Sequence, residues 1–201
     1  MKSWFGKNGL DLWSFANGLE RHRVMPIDFV SPVKSVGHGI TCNCDLKRED
    51  DVWKVILELS QDVGHRLRIH GLAARGVKLF IRDNGLTFVP SHQMPTPYPT
   101  QSPMEIAQAA RILFDQTYSW NHPVRAVTVT AINLVPRDQP MQLSLFHDDE
   151  QRIKQQKLDN CIDDLRRRFG NRAIYSASLM GDLHMPGDGR HEVKMPGMMY
   201  T

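Results

Sequence analysis

Two hydrophobic periods alternate along the middle of this chain, and their order leaves few folds open. Lys34 to Asp45 reads as a strand. From about Arg48 to His70, the residues Val52, Ile56, Leu59, Val63 and Leu67 recur at three- and four-residue intervals, the stripe of an amphipathic helix that Gly71 ends. Gly76 to Arg82 returns to period two, with Val77, Leu79 and Ile81 on one face and Lys78, Phe80 and Arg82 on the other. Asp83-Asn84-Gly85 signals a hairpin, because these residues tolerate the positive φ of a tight turn, so Leu86 to Val89 is expected to return antiparallel. A proline-rich connection, Pro90 to Pro99, leads to a second helix from about Ser102 to Trp120, striped by Ile106, Ala110, Leu113 and Thr117 and started by Pro103. Val124 to Val135 is a β-branched strand, with Val127, Val129 and Ala131 on one face and Ala126, Thr128 and Thr130 on the other.

Strand, helix, strand, strand, helix, strand is an α+β order: a four-stranded β-sheet (βαββαβ) with two helices packed on one face. The opposite face is left uncovered. Lys78, Arg82, Thr128 and Thr130 fall there by alternation.

Outside this block, Leu10, Trp13 and Ala16 mark a short N-terminal helix between Gly6 and Gly18, and Glu20 to Pro32 reads as an extended linker. Leu158, Ile162, Leu165 and Phe169 stripe a C-terminal helix closed by Gly170. From Met180 to Thr201 the glycines and prolines show no period, and a flexible tail is expected.

The pentapeptide Gln142-Leu143-Ser144-Leu145-Phe146 is out of place in its surroundings. It follows Pro140, which cannot donate to a ladder, and precedes Asp148-Asp149-Glu150, which would be costly to bury. A short run with an amide at its head and three apolar anchors suits docking into a groove on another protein, with Gln142 setting register and Leu143, Leu145 and Phe146 filling the pocket. An edge strand or a loop tucked onto its own core is the plainer alternative.

Composition narrows the class. At 201 residues and 41% hydrophobic content the chain can bury a core. No stretch approaches the roughly 18 uninterrupted apolar residues of a membrane span, and Met1 leads into no signal-peptide run, so a cytoplasmic protein with no membrane partner is expected. Three cysteines are too few for a disulfide scaffold; His38, Cys42 and Cys44 lack a matching second ligand pair, and alternate strand residues point to opposite faces, so no metal site is expected. The net charge of +3 permits nucleic-acid binding without requiring it.

Three segments carry a family resemblance. Lys34-Ser35-Val36-Gly37-His38-Gly39-Ile40-Thr41, then Arg75-Gly76-Val77-Lys78-Leu79, then Val124-Arg125-Ala126-Val127-Thr128-Val129, resemble in order and spacing the little-finger domain of Y-family translesion DNA polymerases. Upstream, Phe5-Gly6-Lys7-Asn8-Gly9-Leu10-Asp11-Leu12-Trp13 and Ala16-Asn17-Gly18 look like the end of that family's thumb, although Glu20 stands near where the family usually has Asp. The pentapeptide after the last strand, followed by Leu158 to Asp163 and Arg168-Phe169-Gly170, is most similar to the polymerase V catalytic-subunit type and related Gram-positive polymerases, where the polymerase IV type tends to end on its clamp peptide.

The resemblance divides the chain into the end of a thumb (1–19), a linker (20–33), a little finger (34–136), a clamp-binding loop (137–150), a C-terminal helix and extension (151–179) and a tail (180–201). It implies that Lys34, Ser35, Arg75, Lys78, Arg125 and Thr128 contact the phosphates of primer-template DNA; Arg82 joins them by strand parity. It implies that residues 142–146 bind the sliding clamp, and that the parent acts in damage bypass, as in the SOS response, near the nucleoid. Ala126 stands where many relatives carry Arg, which should weaken the grip. The expected binding is salt-dependent and sequence-tolerant.

The family's catalytic carboxylates lie upstream of the thumb, and this sequence has no equivalent. Asp148-Asp149-Glu150 and Asp163-Asp164 read as solvated surface. The chain is therefore expected to be a C-terminal part that does not polymerise alone and needs no cofactor, the Mg²⁺ belonging to the parent's palm. Two rivals remain: a single-strand binder stacking bases on Phe80, and a small hydrolase using His65, His70 or His122.

Overall fold

The computed structural model describes residues 2–19, 23–85, 90–139, 149–170, 173–179 and 185. They fall into two units, Met1–Pro32 and Val33–Thr201. In the first, α1 (Lys2–Ala16) is interrupted at Gly6, whose φ of 55° is left-handed and breaks the helical ladder. Leu10 and Trp13, its periodic apolar residues, are exposed within that unit, and so are Val24, Ile27 and Val30 of the segment that follows.

In the second unit, β1 (Ser35–Leu46), α2 (Glu49–Ile69), β2 (Leu72–Asp83), β3 (His92–Thr100), α3 (Pro103–Thr117), β4 (Val124–Pro136) and α4 (Asp149–Phe169) follow in chain order. The sheet order is β1-β4-β2-β3, with every neighbouring pair antiparallel. Helices α2 and α3 pack against each other and against one face of the sheet. Val52, Ile56, Leu59, Val63 and Leu67 of α2 are each no more than 1% exposed and meet Val77, Leu79, Val127, Val129 and Ala131 in one core. Each such valine, leucine or isoleucine contributes about 1.5–3 kcal/mol over an exposed one. Gly64 lets α2 close on the start of α3: a Cβ there would lie 2.8 Å from the Gln101 carbonyl oxygen and 2.9 Å from Pro103 Cγ.

Three sequence expectations need correction or qualification. The third strand is not a proline-rich connection's neighbour but that connection itself: His92–Thr100 pairs with β2 through Leu79↔His92, Val77↔Met94 and Gly76↔Pro95. Prolines are tolerated because β3 is an edge strand, with one side free of ladder partners among the described residues. The expected strand Leu86 to Val89 lies outside the described residues.

The alternation also fails locally. Ala74 and Leu134 pack into the core beside Val77 and Ala131, although an unbroken period of two would place them on the other face. The switch occurs at Arg75 and Asn133, both exposed, between the pairs Ala74↔Leu134 and Gly76↔Ile132. Asn133 is left-handed there, with φ of 53°, and the β2–β3 register shifts at the same level.

Finally, α4 docks by only the middle of its apolar stripe: Ile162 and Leu165 are half-buried, and Ile162 lines a groove with Leu57, Pro103 and Met104. Leu158 and Phe169 are 51% and 71% exposed, while Asp159 is 7% exposed and Asp163 and Arg166 face inward.

Candidate nucleic-acid interface

Strand register lays the uncovered face out in rows. Across β1, β4, β2 and β3 these are Ser35, Ile132, Gly76 and Pro95; Gly37, Thr130, Lys78 and Gln93; Gly39, Thr128 and Phe80; and Thr41, Ala126 and Arg82. No carboxylate stands in any row, so Lys78 and Arg82 set the sign of the face. A Cβ on Gly37 would come 2.7 Å from Thr130 Oγ1, and one on Gly39 would come closer still to Thr128 Oγ1. The glycines therefore make a low floor over which the two threonines lean, and a charged polymer backbone can come close to it.

The expected contact residues divide by geometry. Lys78, Arg82 and Thr128 lie in the rows, and Ser35 lies in the first row with Lys34 exposed just before it. Arg75 is exposed at the break in alternation. Arg125 differs. Arg82 pairs with Ala126 and Asp83 with Val124, which leaves Arg125 as the extra residue of a bulge. Its Nη1 sits 3.2 Å from Asp45 Oδ1, and the other oxygen of that carboxylate accepts from Asn84 Nδ2 at 2.8 Å. Residues 142–146 lie outside the described residues.

Thr41 escaped the sequence reading. Its Oγ1 accepts from Arg82 Nη2 at 3.0 Å, across the row from β2 to β1. The available signal was the run Ser35, Gly37, Gly39, Thr41, a small residue at every second position of one strand.

A second concentration of charge lies between α2 and α4, around a groove of about 630 Å³ lined by Asp62, His65, Arg68, Asp163 and Arg166 among others. Here every cation meets a partner. Arg68 grips Asp163 through Nε (2.5 Å) and Nη2 (3.0 Å), His65 Nδ1 lies 3.1 Å from the same carboxylate, and Arg166 Nη2 donates to Gln61 Oε1 at 2.8 Å. Burial alone would raise the Asp163 carboxyl. Hydrogen bonds from His65 and Arg68, with the Arg68 charge, outweigh it and hold the group at about 2.

Of the three histidines a hydrolase might use, the groove is lined by His65 alone among the described residues. No cluster of three or more His, Cys, Asp or Glu among the described residues could hold a metal. Cys42 is buried and Cys44 exposed; burial first, then the neighbouring Cys44, pushes the Cys42 thiol up to about 11, which keeps it protonated and unreactive near neutrality.

The fold is that of a Y-family polymerase's C-terminal region. The chain superposes on a Y-family DNA polymerase chimera, Dbh-Dpo4(243-245)-Dbh, with a TM-score of 0.52 and 14% sequence identity, over 67% of this chain and 38% of that one. Residues 33–145 match the model of the impB/mucB/samB family C-terminal domain, and the chain belongs to that family. A DNA polymerase IV of Acetivibrio thermocellus is 40% identical over 177 residues, 88% of this chain and 44% of that protein. A Bacillus subtilis protein named for UV-damage repair, UvrX, is 31% identical over 178 residues, 86% of this chain and 41% of that protein. The chain thus spans less than half the length of these relatives.

Proposed function

We propose that the uncovered sheet face grips primer-template duplex through its phosphates, and that residues 142–146 tether the same polypeptide to the sliding clamp. Lys34, Ser35, Arg75, Lys78, Arg82 and Thr128 contact the backbone, with Arg125 at the rim. In a full-length parent the module holds DNA for a translesion polymerase, a DNA-directed nucleotidyltransferase in DNA repair, whose Mg²⁺ and catalytic carboxylates belong to its palm. A weak, sequence-blind grip gains from a second contact, because tethering raises the local concentration of the module on DNA.

The observation that carries the reading is a face whose described rows hold no acid, with Lys78 and Arg82 above a glycine floor. A surface of fixed cations without carboxylates attracts phosphates, and small residues let the backbone approach. Titrating labelled duplex by fluorescence anisotropy tests it. Four neutralised phosphates predict about a hundredfold loss of affinity between 50 and 200 mM salt. Affinity independent of salt, or preference for single strands over duplex, would overturn the reading. Leu145→Ala with Phe146→Ala is expected to abolish clamp pull-down and leave duplex affinity unchanged.

A further inference from the structure

We infer that Thr41 is a positioning residue that lays Arg82 flat across the sheet, so that this cation is held ready over β4 before any phosphate arrives. The inference rests on the DNA-gripping reading above and deepens it.

Thr41, Ala126 and Arg82 form one row, with Ala126 in the middle strand. Two strand spacings, roughly 9.5 Å, separate the outer backbones, and the arginine crosses them to place Nη2 3.0 Å from Thr41 Oγ1. The crossing requires a small residue in the middle, and Ala126, 7% exposed, is covered where it occurs. Arg82 Nε is enclosed and has no hydrogen-bond partner among the described residues, which marks a side chain lying along the surface rather than standing in solvent. No carboxylate among the described residues joins it.

Contrast the two other arginines expected at this surface. Arg125 is held, but by the carboxylate of Asp45, so its charge is already matched. Arg75 is exposed, and no described hydrogen bond or ion pair restrains it. Arg82 alone of the three is both restrained and uncompensated. A neutral hydroxyl accepts one of its five N–H groups and restricts the rotamers without cancelling the charge. The remaining Nη hydrogens keep their fork geometry for a phosphate. Restraint applied in the free protein lowers the ordering cost on binding, which is where preorganisation gains affinity.

The test uses the 201-residue chain with wild type, Thr41→Val, Thr41→Ser, Ala126→Leu and Arg82→Ala. Thr41→Val removes the acceptor at nearly constant volume, and Ala126→Leu blocks the crossing without touching either partner. Two readouts are taken: duplex affinity across a salt series, and NMR exchange of the Arg82 Nε–H in the free protein, which needs no DNA. Thr41→Val and Ala126→Leu are expected to speed Nε–H exchange and to weaken duplex binding roughly three- to tenfold, with melting temperatures unchanged and Thr41→Ser at wild-type values. Thr41→Val combined with Arg82→Ala should bind no worse than Arg82→Ala alone. Unchanged Nε–H exchange in Thr41→Val overturns the strap itself. Wild-type affinity in Thr41→Val beside a weakened Arg82→Ala overturns the positioning role and leaves the DNA-gripping reading standing. Salt-independent binding by wild type removes that reading, and the positioning role with it, whatever the exchange rates show.

Discussion

The open sheet face and the α2–α4 seam use similar side chains to opposite ends. On the face, Lys78 and Arg82 stand among glycines, threonines and an alanine, with no acid in the described rows. In the seam, Asp163 draws in Arg68 and His65, and Arg166 is spent on Gln61 and the Ile174 carbonyl. One region leaves its charge unmatched and is available to an outside polyanion; the other matches charge internally and holds a helix. Counting basic residues along the chain would not separate the two. What separates Arg68 and His65 from Lys78 and Arg82 is a carboxylate within about 4 Å, since an ion pair consumes the field that a ligand would otherwise feel, while Arg166 is held by neutral acceptors.

If the two regions differ in this way, substitutions in the seam should change stability alone, and only those on the face should change duplex affinity. The largest effect belongs to the seam: Asp163→Ala strands Arg68, whose side chain is 9% exposed, and is expected to cost about 3 kcal/mol of unfolding free energy with duplex affinity unchanged, as read by urea denaturation beside anisotropy. Loss of DNA binding with intact stability would merge the two regions. Next, Gly39→Ala forces a Cβ into Thr128 and is expected to cost about 1–3 kcal/mol, this time with weaker duplex binding as well, because the floor rises.

Acid should act on the seam through Asp163. The folded-state value for Asp163, about 2, lies below its ordinary 3.8, so its contribution is complete above pH 4 and is lost as pH falls through 2. That contribution is on the order of 2 kcal/mol, and an Asp163→Asn variant should be less stable than wild type at pH 5 and converge with it near pH 2. A constant gap between them would show that the pair is not what acid breaks. The smallest effect sharpens the comparison within the DNA face: Arg125→Ala, already matched by Asp45, should weaken duplex binding by about twofold or less, whereas Lys78→Ala should weaken it by roughly three- to tenfold.

Much of this architecture is legible from residue order. The α2 stripe from Val52 to Leu67 predicts its buried face because a period of 3.6 admits one apolar side, and Val77, Leu79 and Ile81 predict theirs because a strand has only two. Lys78, Arg82 and Thr128 were assignable to the uncovered face by the same parity. Periodicity fails where a partner, not a pattern, decides. His92–Thr100 carries three prolines and reads as a connection, yet an edge position needs only one set of ladder bonds. Leu158 and Phe169 suggest an apolar contact along all of α4, yet both are exposed and polar anchors share the contact, because Asp163 meets Arg68 and His65, which lie 95 and 98 residues earlier in the chain.

Local sequence, then, determined the element order, the core stripes, the sheet's uncovered face and the family to which the chain belongs, because these depend on spacings of a few residues and on motif order. Tertiary structure decided which cations are free. Arg125 and Arg82 look alike in sequence; only the fold brings Asp45 to the first and Thr41, over a small Ala126, to the second. Charge matching is a property of distances between strands, and those distances are set by pairing register across segments 40 to 80 residues apart.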